Sequence, residues 1–302
     1  MSKRDYIIRY LFILKKLRSS RVATFNEIND YLLNEFELLD SPRKISLRTF
    51  QRDINEIRTI FNIDIRCNNL NQYFIHEDEQ SGFNNRMMES FDMITALSIG
   101  NQLTPYIQLE KHSSLGTEYL FGILHAIKNR LVIRMLYQKF YEDLPSLREI
   151  EPYSLKEFKG RWYLLSKDRN DKYVKTFALD RIKEIDITTQ KFVIPQDFKP
   201  NEYYKDCFGV INPDEATPVD IVLSFEPYQG NYIKTNPLHE SQKILVDDDS
   251  ELRISLFLYI THDLIMELLS YGADLKVIKP NSLINTITNN LKLMLRTYDK
   301  TK

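Results

Sequence analysis

Ser46-Leu47-Arg48-Thr49-Phe50-Gln51-Arg52-Asp53-Ile54-Asn55-Glu56-Ile57 reads as a helix with two unlike faces. Ser46 is a good N-cap residue, because its hydroxyl can accept from an orphan backbone N–H of the first turn. At about 100° per residue, Leu47, Phe50, Ile54, Ile57 and Phe61 fall on one side. Arg48, Arg52, Asn55 and Thr59 fall on the other, with Thr49 beside them and Gln51 nearer the flank. Such a polar face suits a DNA major groove. Arg reads guanine edges bidentately, Asn reads adenine, and Ser or Thr holds phosphate. The helix N-terminus adds partial positive charge of its own. A solvated charged face on a small helical subdomain, with Arg52 and Glu56 as an i,i+4 pair, is the plainer alternative.

The flanks favour the first reading. Upstream, Ile7, Tyr10, Leu11, Leu14 and Leu17 form one helical stripe. Thr24 and Glu27 have capping-box spacing and open a second helix with Phe25, Ile28, Leu32 and Phe36 on its apolar side. Downstream, Ile63 to Arg66 and Tyr73 to Ile75 alternate about a turn at Asn68-Asn69, like a short hairpin. Three helices followed by a hairpin is the winged helix-turn-helix order.

The segment Ser46 to Ile54 resembles the recognition helix of DeoR-type bacterial repressors, which commonly read Ser-x-Arg-Thr-x-x-Arg-Asp. The resemblance covers residues 4–76. It implies that Arg48, Thr49, Gln51 and Arg52 contact DNA, and the helical-face reading adds Ser46 and Asn55.

Residues 77–127 read as a helical linker, with one helix opening at Asn85 to Ile94 and another over Thr117 to Lys128. The Met87-Met88 pair suits an adaptable surface or, more simply, a core. Beta-rich runs follow at 131–137, 148–158, 161–167, 172–178 and 183–187, separated by tight turns, which suggests a small barrel or strongly bent sheet. Gly160-Arg161-Trp162-Tyr163-Leu164 and Phe177-Ala178-Leu179-Asp180-Arg181-Ile182 resemble the WYL domain, and Glu151-Pro152-Tyr153 and Tyr137 fit the same family. This resemblance spans residues 128–190. It implies an Sm-like barrel with a pocket for a negatively charged ligand, a nucleic acid or a nucleotide. Tyr137, Tyr153, Lys175 and Arg181 supply aromatic planes for stacking and cations for phosphate. Trp162, Leu164, Phe177, Leu179 and Ile182 read as barrel core, and Asp180 and Arg181 as a possible local pair. Many family members carry Arg where this chain has Lys175 and Ala178, and Lys lacks the planar bidentate fork.

Residues 191–218 read as a connector. From 219 to 302 the order is strand, helix, strand, strand, helix, strand, which is ferredoxin-like, followed by a terminal helix over 282–298. Asp247-Asp248-Asp249 reads as a solvated turn rather than a cation loop. His262-Asp263 reads as a helix cap and surface pair. His239 to Gln242, Leu268 to Gly272 and Val277 to Pro280 resemble the C-terminal extension that accompanies WYL domains, which implies dimerisation and relay of ligand occupancy.

Composition sets the limits. The chain has 302 residues, 43% hydrophobic and 27% charged, ordinary for folded protein. No run approaches the ~20 apolar residues of a membrane span. The N-terminal apolar run is broken by Arg9, Lys15 and Lys16, unlike a signal peptide. Two isolated cysteines, Cys67 and Cys207, offer neither a disulfide framework nor a CxxC metal site, so a reducing cytoplasm is expected. The net charge of −1 conceals +4 over 1–76, −4 over 77–129, +3 over 130–187 and −4 over 188–302. Nucleotide loops, zinc-protease and serine-hydrolase motifs are missing, and five scattered histidines give no metal spacing. The expectation is an α+β multidomain regulator that is not an enzyme and needs no cofactor. It is expected to bind double-stranded operator DNA as a homodimer, to respond to a nucleic acid or nucleotide effector, and to have no membrane contact. A nucleic-acid-binding module without sequence preference and a nucleotide-acting enzyme are the alternatives.

Overall fold

The computed structural model of the chain describes residues 3–37, 42–76, 90, 116–170, 172–213 and 216–299. The helix expected at 85–94 lies outside them, apart from residue 90. The chain divides into two compact units, residues 1–111 and 112–302.

In the first unit the order is α1 (Lys3–Ser20), β1 (Ala23–Thr24), α2 (Phe25–Glu37), α3 (Leu47–Phe61), β2 (Asp64–Cys67) and β3 (Gln72–His76). The strands form an antiparallel sheet in the order β1-β3-β2. The capping box forms as expected: Thr24 N donates to Glu27 Oε2 at 2.7 Å, and Glu27 N donates back to Thr24 Oγ1 at 3.4 Å. Asn68 Oδ1 accepts from Leu70 N and Gln72 N and closes the β2–β3 turn. Helix α1 packs against α2, α3, β1 and β3. It therefore buries more than one stripe. Ile8, Phe12 and Ile13 join Tyr10, Leu11, Leu14 and Leu17 in the core, while Ile7 stays 41% exposed. Leu47 is also exposed, because the first turn of α3 extends past the core that holds Phe50, Ile54, Ile57 and Phe61.

The second unit holds two sheets. A short 3-10 turn (Thr117–Tyr119) leads into α4 (Leu120–Asn129), then β4 (Leu131–Tyr137), β5 (Ser146–Phe158), β6 (Arg161–Asp168), β7 (Val174–Ala178) and β8 (Ile182–Lys191). These strands form one antiparallel sheet in the order β7-β6-β5-β4-β8. The hairpin between β5 and β6 turns on Lys159 and Gly160, both at positive φ (48° and 73°), the requirement of a two-residue primed turn. A bulge in β5 between Pro152 and Ser154 bends the long strand. One sheet face packs with α4 around Ile133, Met135, Ile150, Leu164 and Phe177. The other carries Val132, Tyr153 and Leu165, and residues of the connector cover it: Phe192, Ile194, Phe198, Tyr203 and Tyr204. Residues 192–204 of the expected connector thus contribute to the core.

The rest comprises β9 (Val219–Phe225), α5 (Pro227–Thr235), β10 (Lys243–Asp247), β11 (Leu252–Leu258), α6 (His262–Ser270), β12 (Leu275–Lys279) and α7 (Asn281–Asp299). The strands pair antiparallel in the order β10-β11-β9-β12. Ile221, Leu223, Ile254, Leu256, Leu264 and Leu283 centre its core. Asp248 caps its own turn, accepting from Ser250 N and Glu251 N. Among the described residues there are seven α-helices, and none is long and apolar enough to cross a membrane.

Candidate nucleic-acid interface and ligand cavity

Helix α3 starts at Ser46, whose extended backbone and hydroxyl cap the first turn; the hydroxyl accepts from Thr49 N at 3.1 Å. The Thr49 hydroxyl lies 2.9 Å from the Ser46 hydroxyl. Arg48, Gln51, Arg52 and Asn55 are exposed, and Thr49 is half-buried. Six residues expected at a DNA surface thus lie on or beside the side of α3 away from the core. Arg52 is the most constrained. Its guanidinium sits 5.6 Å over the Tyr6 ring, and its Nη2 lies 3.9 Å from Asp53 Oδ1. Asp53 belongs to the buried side instead. It is fully buried and takes two hydrogen bonds from Arg9 of α1, at 2.6 and 2.7 Å. Neither member of that pair was apparent as such from the helical pattern.

In the second unit, a cavity of about 430 Å³ brings together Tyr137, Lys175 and Arg181, three of the four residues expected to bind ligand. Lys139, Arg148, Tyr203 and residues 210–212 complete much of its lining. Asp168, at the end of β6, organises the cations. It is fully buried, and its Oδ2 takes Arg148 Nη1 at 2.6 Å and Lys175 Nζ at 3.3 Å. The 3-10 turn Leu179–Arg181 joins β7 to β8 and delivers Arg181. The Arg181 guanidinium stacks 3.9 Å over the Phe140 ring, and its buried Nε has no hydrogen-bond partner among the described residues. Asp180 pairs with Arg161 at 3.3 Å rather than with its neighbour Arg181. The Tyr137 hydroxyl accepts from Ala178 N at 3.2 Å, and burial pushes its pKa up, so the phenol stays neutral. Lys139 is answered by Glu142 at 2.6 Å. Arg148 and Lys175 therefore share one buried carboxylate, and Arg181 joins them on the cavity lining, which leaves an excess of positive charge suited to a phosphate-bearing ligand.

Tyr153 is not at this cavity. Three positions beyond Ile150 in β5, it lies on the opposite sheet face among Phe192 and Phe198, with ring centroids 5.9 and 5.1 Å away. Arg148 is the lining residue that sequence reasoning passed over. It shares strand parity with buried Ile150, so a cation on the inward face of β5 was the available signal. Residues 210–212 carried no such signal.

His262-Asp263, expected as a cap and surface pair, has another role. Asp263 Oδ2 accepts from Val210 N at 2.9 Å and Ile211 N at 3.3 Å. A second cavity, about 470 Å³, is lined in part by Lys156, Tyr204 and Lys205. Burial lowers the pKa of Lys156, whose ammonium lies 4.5 Å over Tyr204 and donates to Gly209 O at 2.6 Å.

The sheets, helices and cores define a mixed α+β protein of several domains. Residues 118–187 of the chain match the WYL domain and its residues 217–295 match the WCX domain. No curated protein matches it in sequence. Among solved structures it is similar to proteasome accessory factor B/C (PafBC) of Arthrobacter aurescens, at 20% identity and a TM-score of 0.34. That match takes in 81% of this chain and 40% of the PafBC chain, so the chain spans less than half of that protein's length. It is also similar to a CRISPR Cas-related protein at 10% identity, covering 98% of this chain and 86% of that one, with a TM-score of 0.39. Both overlays are loose.

Proposed function

We propose that this protein is a ligand-responsive, DNA-binding transcriptional regulator of the bacterial cytoplasm and that it acts without catalysis. The observation that carries the reading is the outward side of α3, where Arg48, Thr49, Gln51, Arg52 and Asn55 lie away from the core beside an exposed, capped N-terminus. In this reading residues 1–76 are a DeoR-like winged helix that places α3 in a major groove. Residues 128–190 are an Sm-like WYL barrel, whose cation-lined cavity takes a nucleic acid or nucleotide. Residues 219–302 hold two copies together. The far end of α7 supports that last role, because Leu291, Leu293, Met294, Leu295 and Tyr298 are all exposed. A two-fold dimer calls for an inverted-repeat operator with half-sites about 34 Å apart, or a multiple of that. The DeoR-like resemblance favours repression.

Competition between an upstream palindromic fragment and random duplex tests the reading. Specific binding tighter by about 10³-fold or more supports it. Equal affinity for the two duplexes replaces it with a nucleic-acid-binding module that lacks promoter specificity.

A further inference from the structure

We propose that Asp263, on the first turn of α6, is a positioning residue of the cation-lined cavity, holding the backbone of residues 210–211 as its wall. The proposal rests on the reading of that cavity as a ligand site. Val210, Ile211 and Asn212 line the cavity. Both oxygens of Asp263 are in use. Oδ2 takes the successive N–H groups of Val210 and Ile211, while Oδ1 takes Leu264 N at 3.0 Å and the Thr261 hydroxyl. Two successive backbone N–H groups aimed at one carboxylate oxygen form a concave anion-binding arrangement, filled here by the protein's own side chain. The same carboxylate sits at a helix N-terminus, where negative charge is stabilised.

The preceding residue makes the contact close. A Cβ on Gly209 would stand 2.1 Å from Asp263 Oδ2 and 2.9 Å from the Phe158 ring, so only glycine fits. From the other side, Lys156 of β5 donates to Gly209 O at 2.6 Å. Asn212 donates to Tyr203 O at 2.5 Å, fixing a second lining residue. Segment 209–212 is thus clamped between the five-stranded sheet and α6. Lys159 and Glu267, 2.6 Å apart, tie the same helix to the β5–β6 turn. A ligand that shifts Val210 or Ile211 acts directly on the first turn of α6, and displacement of α6 must alter ligand affinity in return.

Hydrogen exchange on the full-length protein, without ligand, tests the clamp in Asp263→Ala and Gly209→Ala. Loss of a charge-assisted hydrogen bond should speed exchange at Val210 and Ile211 about tenfold or more, while amides of β5 and β6 keep their rates. Unchanged exchange at 210–211 overturns the proposal. Should Asp263→Ala not fold, Asp263→Asn decides, since its single carbonyl oxygen cannot serve both sets of donors and should give a smaller rise. The second arm measures affinity for a 5′-phosphorylated single-stranded oligothymidylate. Asp263→Ala should weaken it about tenfold although Asp263 does not line the cavity. Faster exchange with unchanged affinity overturns the positioning role. If the unmodified protein does not bind the probe, the nucleic-acid reading of the cavity fails, and the exchange arm alone decides whether Asp263 holds the wall.

Discussion

Arg9 Nε and Nη2 meet the two carboxylate oxygens of Asp53 at 2.6 and 2.7 Å, and neither side chain is exposed to solvent. The pair joins α1 to α3 through the hydrophobic core of the first unit, on the side of α3 opposite Arg48. Geometry of this kind offsets much of the desolvation of two buried charges. Tyr6 adds a third member, since the Arg9 and Arg52 guanidiniums lie 5.1 and 5.6 Å from its ring.

Removing one partner is therefore expected to destabilise more than removing both. Asp53→Ala should cost about 3–5 kcal/mol, because Arg9 stays charged and buried without its bidentate carboxylate. The double variant Arg9→Met/Asp53→Leu should recover most of that loss. Urea denaturation of the two variants and the unmodified protein checks it. A single variant no less stable than the double one would show that Arg9 finds another partner.

Arg48 and Arg52 differ in freedom, and this sets their expected behaviour on DNA. Arg48→Ala should weaken operator binding by about 1–3 kcal/mol if it reads a base, with no change in melting temperature. Arg52→Ala should weaken binding too, but with some loss of stability, because Arg52 also covers Tyr6 and approaches Asp53. Fluorescence anisotropy on the operator, repeated at several salt concentrations, separates base contacts from phosphate contacts. Unchanged affinity in both variants would remove α3 as the DNA-reading element.

The outward side of α3 was legible because a 3.6-residue period alone separates Arg48, Arg52 and Asn55 from Phe50, Ile54 and Ile57. Lys175 and Arg181 were legible through the Gly160–Leu164 and Phe177–Ile182 motifs. What stayed hidden depends on contacts distant in sequence. Arg9 reads only as a break in an apolar run, and its partner Asp53 lies 44 positions away. Arg148 of the cavity lining is held by buried Asp168, 20 positions away. Tyr153 was assigned through the family resemblance, whereas strand alternation from Ile150 already sets it on the sheet face that residues 192–204 cover. The aromatic residues of 192–204 show no regular period, so their packing on the back of the sheet had no sequence signature.

The cavity makes a separable prediction. Lys175→Ala and Arg181→Ala should bind operator almost normally when unliganded but hold single-stranded oligonucleotide more weakly, by about 1–3 kcal/mol for each charge-assisted hydrogen bond removed. Titration calorimetry with the oligonucleotide measures this. Folding should survive, since Lys175 is half-buried and Arg181 leaves a buried Nε unpaired already. Loss of folding in both would make them structural partners of Asp168 and Tyr137.

Glu27 gives a pH-dependent prediction. Hydrogen bonds from the backbone and hydroxyl of Thr24 lower its pKa. A carboxyl whose folded pKa lies below its unfolded value adds stability above the unfolded value and loses it as pH falls through the folded one. Glu27→Gln should therefore be less stable than the unmodified protein at neutral pH, and the gap should close between about pH 5 and pH 3. Chemical denaturation across that range measures it. A gap that stays constant would assign the effect to packing rather than to charge.

The far end of α7 provides the test of assembly. Its first half is anchored, with Leu283 buried and Ile287 against the core, but Leu291, Leu293, Met294 and Leu295 project into solvent. Burying one leucine side chain contributes about 1.5–3 kcal/mol, so a single charged replacement in a dimer contact should raise the dissociation constant by more than about tenfold. Leu291→Glu and Leu295→Glu should each shift sedimentation toward monomer while the melting profile of the monomeric fold persists. Operator affinity should fall with them, because a lone winged helix holds only one half-site. If both variants sediment like the unmodified protein, copies associate through another face, and the exposed leucines belong to a different contact.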